Sequence, residues 1–225
     1  MDRIDVLDHG FVRLVDHMGS DLSIVRAARV SYDAAWRAGE NEGSDARLIR
    51  RLWRDKHTSP FEAVEFQFEV MAPIFVLRQW HRHRTWAFNE LSARYRELPQ
   101  RFYVPKTTVI GEQSKSNKQG RQPSTQKRGR EVIDYRRACT EAFRLYERLL
   151  AAGWPRELAR AVLPVSTYSH MFAKVDLRNL LHFLDLRLDP HAQHEIRVYA
   201  EAILTLIRAI VPAAVEAWRP AEPGA

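Results

Sequence analysis

Cysteine is almost absent from this sequence of 225 residues, in which Cys139 is the single example. One cysteine cannot form a disulfide within a chain, and it cannot build a cysteine-liganded zinc site there. Cys139 lies in a stretch, from Val132 to Leu149, whose apolar residues recur at helical spacing. We therefore expect Cys139 to be a small core residue of a helix rather than a thiol nucleophile.

Long apolar runs are also missing. Nowhere do about eighteen apolar residues follow one another, so the sequence predicts no helix that crosses a membrane. Residues 1–21 lack the basic start and the apolar run of a secretory leader. A cytoplasmic protein with no membrane partner is the simplest expectation.

Metal-binding motifs are a third absence. His81 and His83, like His191 and His194, lack the His-Glu-x-x-His spacing of a helical zinc site, and no cysteine supplements them. We therefore expect no bound metal.

Positive charge is plentiful but concentrated in one segment. The net charge is +7, and residues 111–130 account for five of the seven charges, with six basic residues against one acidic residue. This segment has no large apolar side chain, so we expect a flexible basic loop, either solvated or ordered by a neighbouring subunit or an anionic ligand. The remainder of the chain is close to neutral, which argues against a nucleic-acid partner.

The pattern of apolar residues predicts several helices and few strands. Strict alternation predicts a strand over 64–70, and strand-type composition predicts others over 167–177, 91–97 and 101–105. Helical spacing and capping residues predict helices over 21–30, 44–56, 73–83, 131–150, 155–164, 178–188 and 189–211. Ser44 is the expected cap of the second helix, and Ser59 has the capping-box form that opens a short further helix. Without an internal repeat or a regular strand–helix alternation, the expected class is α+β, in one domain over 1–225.

The densest group of candidate binding residues lies within 80–95. Its arginines are Arg82, Arg84 and Arg94. Their planar forks match phosphate oxygens, and Ser92 adds a hydroxyl donor. Asn89 and Glu90 can hydrogen-bond ribose hydroxyls or ring amides, which a site for phosphate alone does not need. These residue types favour a nucleotide site, while a single-stranded nucleic-acid patch and a set of surface ion pairs remain alternatives.

Arg82-His83-Arg84, followed after seven residues by Ser92, resembles the signature of the flavin-dependent thymidylate synthases, which methylate dUMP to dTMP. The segments that are similar to that family, in the expected order, are 11–31, 59–62, 72–84, 89–95, 155–164, 179–187 and 191–200. The resemblance implies the family's α+β fold and a homotetramer whose active sites are shared between subunits. It also implies FAD as the cofactor, with NADPH and methylenetetrahydrofolate as co-substrates.

The same resemblance implies two sets of site residues. Those that would contact FAD are Ser59, Arg82, His83, Arg84, Thr85, Glu90, Asp176, Leu177, Arg178 and His182. Those that would hold dUMP are Gln79, Trp80, His81, Arg82, Glu90, Leu91, Ser92, Ala93, Arg94, Arg160 and Arg187. In the second set, Ser92, Arg94 and Arg160 would contact the phosphate, whereas the position of Trp80 also suits packing. His57 would lie near the flavin, where it either transfers protons or packs.

Arg187 is the implied catalytic residue, because it stands where the family has the arginine that activates the pyrimidine. A guanidinium is not a base near neutral pH, but its charge lowers the cost of ionising the ring nitrogen between two carbonyls. Considered without the resemblance, Arg187 could instead pair with Asp185 or Asp189. The similarity is weaker at 176–178 and at His182, where members of the family often have Asn-x-Arg and Asn.

Overall fold

The computed structural model describes residues 3–116 and 118–219, and its centre is an antiparallel sheet. The strands of this sheet are β1 (Arg3–Val6), β2 (Gly10–Met18), β3 (Glu65–Pro73), β4 (Ala87–Glu90) and β7 (Tyr168–Asp176). A separate ribbon consists of β5 (Glu112–Gln113) and β6 (Arg121–Gln122). The main sheet has the order β1-β2-β3-β7-β4, with every neighbouring pair antiparallel.

Helices pack mainly against one face of this sheet. They are α1 (Asp21–Arg29), α2 (Glu42–Arg54), α3 (Ile74–Trp80), α4 (Thr107–Ile110), α5 (Gly129–Ala151), α6 (Arg156–Ala159), α7 (Leu177–Arg187), α8 (His194–Arg208) and α9 (Pro212–Trp218). Short 3-10 turns cover Val30–Tyr32, Ala35–Arg37, Ser59–Ala63 and Arg160–Val162. The expected mixed helix and sheet fold is confirmed. None of the helices within 3–116 and 118–219 is long and apolar enough to cross a membrane.

The central strand β3 shows why the sheet forms. Phe66, Phe68 and Val70 are fully buried and alternate with partly exposed polar residues, so one face of the strand meets the helices. Phe68 lies opposite Leu14 on β2 and Ala173 on β7. The strands predicted over 64–70 and 167–177 are thus confirmed.

An aromatic group joins α3 to the rest of the core. Trp80, the last residue of α3, is fully buried and stacks on Phe183 of α7 with 5.0 Å between ring centroids. Tyr199 of α8 meets the same indole edge-on at 6.1 Å. Because large aromatic contacts of this kind are rigid, the chain leaves α3 from a fixed point.

A second, smaller core lies under α5. Cys139 is 5% exposed and packs with Phe143, Tyr146, Phe102 and Ala159. The prediction that Cys139 is a core residue is therefore confirmed.

Several predicted elements differ in the structure. The segments 91–97 and 101–105 form no strand, and only Phe102 makes an isolated bridge, to Thr167. The strand of this region is instead β4, while β1, β2 and α9 were not predicted. Since β4 is short and mostly exposed, its sequence carries no clear alternation.

Helix starts were also misplaced. Ser44 lies inside α2, and Asn41 caps that helix by accepting the Ser44 N–H at 2.9 Å. Ser59 lies within a 3-10 turn preceded by Thr58, whose side chain makes no capping bond. Helix α8 begins at His194, because Asp189 accepts the His191 N–H at 2.7 Å and holds a turn there instead.

Candidate active site

Arg187, at the end of α7, meets the end of α3 and the turn that follows it. Its Nε donates to Nε2 of His83 at 3.0 Å, and its Nη2 donates to the Gln79 carbonyl at 3.4 Å. The Gln79 carbonyl also accepts the N–H of Arg82 at 3.3 Å in the turn after α3, and a carbonyl oxygen has a second lone pair for Arg187. The structure therefore brings together the predicted catalytic arginine, one predicted flavin residue and one predicted nucleotide residue.

The surroundings of His83 determine its protonation state. Burial, followed by the charges of Arg187 and His182, lowers the pKa of His83 from 6.5 to about 4. A neutral imidazole with its proton on Nδ1 has a free Nε2 that can accept from Arg187. Burial also lowers the pKa of Arg187, which still remains protonated near neutral pH. A neutral histidine thus orients a cationic arginine.

Glu90 lies at the end of β4, beside β7. One carboxylate oxygen accepts the Ser169 hydroxyl at 2.6 Å, and the other lies 3.9 Å from Nε2 of His81. The following N–H, of Leu91, donates to the His170 carbonyl at 2.8 Å. Because its side chain remains one-third exposed at 34%, Glu90 can still accept from a ligand.

A second group of predicted residues meets around Glu157, just inside α6. Arg94 approaches its carboxylate at 3.3 Å, and Nε of Arg160 donates to its carbonyl at 3.4 Å. Ser92 accepts the N–H of Arg94 at 3.3 Å, which holds a tight turn. Three residues of the predicted phosphate site are therefore linked through Arg94 and Glu157, and the Arg94 side chain is 57% exposed.

The predicted flavin residues at the start of α7 have structural partners. Asp176 caps the helix by accepting from the Asn179 N–H at 3.0 Å and from its side-chain amide at 2.6 Å. Arg178 pairs with Glu62, and Leu177 is fully buried. Any contact between Asp176 and a flavin must therefore share a carboxylate already used by the cap.

A cleft of about 360 Å³ lies beside this helix start. It is lined by Trp53, Lys56, Thr58, Arg178, Asn179, His182 and Asp185. Ser59 follows directly on Thr58 in the 3-10 turn. The cleft thus gathers part of the predicted flavin set, with two cations on its wall.

The predicted site residues in and around the turn between α3 and β4 are of two kinds, exposed polar residues and buried apolar residues. Arg82, Arg84 and Thr85 are exposed, and within the described ranges no hydrogen bond or ion pair holds either guanidinium. Trp80 and Ala93 are buried, so the predicted nucleotide contact of the Trp80 side chain competes with its core packing. Among residues 3–116 and 118–219, no group of three or more metal-ligating side chains is present.

Comparison with known proteins identifies the family. The family model described as thymidylate synthase complementing protein matches residues 13–213. A flavin-dependent thymidylate synthase of Gluconobacter oxydans is 47% identical over 219 residues, which cover 95% of this chain and 71% of that protein. The chain belongs to the flavin-dependent thymidylate synthase family.

Other family members give the same result. The flavin-dependent thymidylate synthase of Dictyostelium discoideum is 48% identical, with 96% of this chain and 73% of that protein covered. The crystal structure of the UMP/dUMP methylase PolB from Streptomyces cacaoi, bound with 5-Br dUMP, is similar with a TM-score of 0.87 and 42% identity. That match covers 96% of this chain and 97% of PolB. A second structure of PolB, bound with 5-Br UMP, has a TM-score of 0.84 and 43% identity.

The sequence-based prediction for this family member omitted three residues that touch the predicted set. Ser169 bonds Glu90, Glu157 lies between Arg94 and Arg160, and Gln193 bonds Gln79. Glu157 and Gln193 lie in segments already noted as similar to the family, Ser169 does not, and none of the three has a motif of its own. These contacts depend on how distant elements pack, which local spacing does not reveal.

Proposed function

We propose that this chain is an enzyme that methylates dUMP reductively to dTMP, with methylenetetrahydrofolate as one-carbon donor and FAD reduced by NADPH. The observation that carries the proposal is the contact of Arg187 with His83 and Gln79. It joins residues of both predicted ligand sets at a single cation. Membership of the flavin-dependent thymidylate synthase family supports the same activity.

Arg187 is the proposed activating group. Its guanidinium is held by a neutral acceptor and a carbonyl, so its positive charge is not cancelled by a carboxylate. Such a charge stabilises the uracil ring when its nitrogen between two carbonyls ionises, and it thereby makes the ring a stronger nucleophile. No nucleophilic side chain is required, which agrees with the burial of Cys139 in the second core.

The phosphate of dUMP is proposed to bind between Arg94 and Arg160, with Ser92 as a hydroxyl donor. Both guanidinium groups contact Glu157, Arg94 at its carboxylate and Arg160 at its backbone carbonyl, and a dianionic phosphate would compete with the carboxylate for Arg94. Glu90 retains acceptor capacity for a sugar hydroxyl or a ring N–H.

The residues present also fit FAD. Arg82 and Arg84 are exposed and without partners in the described ranges, and the cleft beside α7 adds Arg178 and His182. Cationic and hydrogen-bonding groups of this kind suit the diphosphate of a dinucleotide. When bound, FAD supplies the hydride of the reductive step. His57 remains a proposed neighbour of the flavin.

A homotetramer with shared active sites is proposed as well. Within the described part of the chain, no hydrogen bond or ion pair joins the group around Arg187 to the group around Glu157. Residues 82–85 would then serve the flavin of one site, while residues 90–94 would serve the nucleotide of another.

Product analysis tests the proposal. The chain would be incubated with dUMP, methylenetetrahydrofolate, NADPH and FAD, and dTMP would be measured by chromatography with mass detection. We expect dTMP from the full mixture and none when any component is omitted. A full mixture that yields no dTMP contradicts the proposal.

UMP is the second substrate to include, because the similar structures are of a UMP/dUMP methylase. Parallel reactions with UMP and dUMP measure how strongly the site rejects the 2′-hydroxyl. We expect dUMP to react with the higher kcat/KM. Equal values would widen the proposed substrate class to both nucleotides.

A further inference from the structure

A row of side-chain hydrogen bonds connects Gln79 to the basic segment 111–130. Nε2 of Gln79 donates to Oε1 of Gln193, and Nε2 of Gln193 donates to Oε2 of Glu195 at 2.9 Å. Arg121, on β6, donates to both oxygens of Glu195, at 2.9 and 2.8 Å. The segment was predicted to be a flexible basic loop, either solvated or ordered by a neighbouring subunit or an anionic ligand. Its Arg121 is instead linked, through Glu195 and Gln193 of the same chain, to a residue of the predicted nucleotide site.

The chemistry of this row fixes the direction of each amide. A glutamine amide can lie in either of two orientations, whereas an ionised carboxylate only accepts hydrogen bonds. Glu195 thus requires the NH2 group of Gln193 to face it, which turns Oε1 of Gln193 towards Gln79. Gln79 must then offer its NH2 group to Gln193. Its own Oε1 accepts no hydrogen bond within the described ranges and remains available to a ligand.

Glu195 can act in this way because it is buried and remains charged. The residue is 2% exposed, and besides Arg121 and Gln193 it accepts the Tyr103 hydroxyl at 3.2 Å. Burial raises the pKa of Glu195, but the hydrogen bonds and charge of Arg121 outweigh burial, so that the pKa is lowered overall. The neighbouring titratable group is His194, and burial lowers its pKa from the ordinary value of 6.5.

The backbone of Gln79 is held from the opposite side. Its carbonyl accepts from Nη2 of Arg187 at 3.4 Å, so the same residue contacts the predicted catalytic arginine and the start of α8. Both ends of Gln79 are therefore fixed before any ligand binds, which reduces the entropy cost of binding.

We propose that Glu195 and Arg121 are positioning residues that orient the Gln79 side chain so that it presents an acceptor oxygen to the nucleotide. The inference rests on the proposed function, because Gln79 is a predicted dUMP contact. An acceptor at this place recognises an N–H or O–H group of the nucleotide. A Gln79 amide in the opposite orientation would present its NH2 group and would oppose that donor.

Substitution of Gln193 tests the row without disturbing the core, because Gln193 is exposed and makes no side-chain cap to α8. Gln193→Met should raise the Kd for dUMP about tenfold, measured by calorimetry on flavin-loaded protein. Glu195→Gln, which keeps the shape but loses the fixed polarity, should give a similar loss. Flavin content should stay at the wild-type value in both variants.

Substitution of Arg121 should change the pH dependence of dUMP binding, which a purely structural role would not do. In Arg121→Met the pKa of Glu195 should rise, because burial is no longer opposed by the cation. The affinity for dUMP should then fall as the pH becomes mildly acidic, more steeply than in the wild type, and Arg121→Lys should restore the wild-type profile. Arg130→Met, at an exposed position of the same segment, is the matched control and should retain the wild-type profile.

The possible failures are distinct. Wild-type protein that does not bind dUMP overturns the proposed function and this inference with it. Wild-type affinity for dUMP in Gln193→Met, in a chain that does bind dUMP, overturns the positioning role alone.

Discussion

Arg187 and His83 are joined by a hydrogen bond of 3.0 Å in which the guanidinium Nε donates to the imidazole Nε2. The bond requires a neutral imidazole with its proton on Nδ1, since a protonated ring has no acceptor. A neutral partner orients the arginine without cancelling its charge, whereas a carboxylate would do both. The charge of Arg187 thus remains available to a bound ring.

Replacement of Arg187 should affect catalysis more than flavin binding. Arg187→Ala should lower kcat about a hundredfold, because the charge that stabilises the ionised ring is lost. The ratio of flavin absorbance to protein absorbance should change little. Arg187→Lys keeps a charge but cannot reach both His83 and the Gln79 carbonyl, so an intermediate kcat is expected. Loss of flavin in proportion to kcat would instead assign Arg187 to the cofactor.

His83 should make the fold sensitive to acid. Its pKa is 6.5 in the ordinary state and about 4 in the fold, so the unfolded chain binds a proton first as the pH falls. Above pH 6.5 this group has no effect, and between pH 6.5 and about 4 it lowers the free energy of unfolding progressively. Because the neighbouring Arg187 is only partly buried and His182 is exposed, solvent screening limits the loss to on the order of 2 kcal/mol.

Urea unfolding at about pH 7.5 and about pH 5 measures this effect. In His83→Gln, the loss of stability between the two values should be smaller than in the wild type by about 1 kcal/mol or more. His191→Gln is the matched control, because the His191 side chain is 77% exposed. An unchanged pH dependence in His83→Gln would show that His83 is protonated equally in both states.

Arg94 is expected to bind the phosphate of dUMP. Arg94→Ala should weaken binding by about 1.5–3 kcal/mol, which is about ten- to a hundredfold in Kd, because a charge-assisted hydrogen bond is lost. Arg96→Ala is the control, since Arg96 is also exposed and two residues away. Calorimetric titration of dUMP compares the variants, and equal affinities in both would remove Arg94 from the site.

The pair of Arg29 and Asp45 should matter for stability rather than for activity. Arg29 donates to Asp45 at 2.6 Å, and Asp45 is 4% exposed and also accepts the Gly39 N–H at 2.7 Å. Arg29→Met leaves this carboxylate buried without its cation and should cost about 3 kcal/mol. Arg37→Met, which breaks an exposed pair with Glu40, should cost less than about 1 kcal/mol. Urea unfolding measures both losses in the free energy of unfolding. Equal losses in the two variants would contradict the claim that the buried ion pair matters more than the exposed one.

Strands β3 and β7 and most of the longer helices could be predicted from the sequence, whereas β1, β2 and β4 could not. In β3 every second residue is buried, and α7 has a continuous apolar face. Each pattern fits only one type of secondary structure, a strand and a helix respectively. The segment 101–105 was wrongly predicted to be a strand, because its apolar side chains pack into a core without forming a strand. Phe102 fills the second core, and only one bridge, to Thr167, uses its backbone in strand fashion.

Part of the candidate site could likewise be predicted from the sequence, and part could not. The residues of the signature could be found because Arg82, His83, Arg84 and Ser92 are close in sequence. The contact of Arg187 with His83 joins residues 104 positions apart, and that of Gln79 with Gln193 joins residues 114 apart. Such contacts depend on the packing of α3, α7 and α8, so no local pattern predicts them.

The most direct test of the account is a spectroscopic titration of dUMP into purified protein loaded with FAD. One segment, 80–95, is proposed to serve both ligands, so binding of the nucleotide should alter the visible absorbance of the flavin. We expect a saturable spectral change with the wild type and a shift of its midpoint to higher dUMP concentration with Arg94→Ala. A protein that binds no FAD, or a flavin spectrum that dUMP leaves unchanged, would contradict the account.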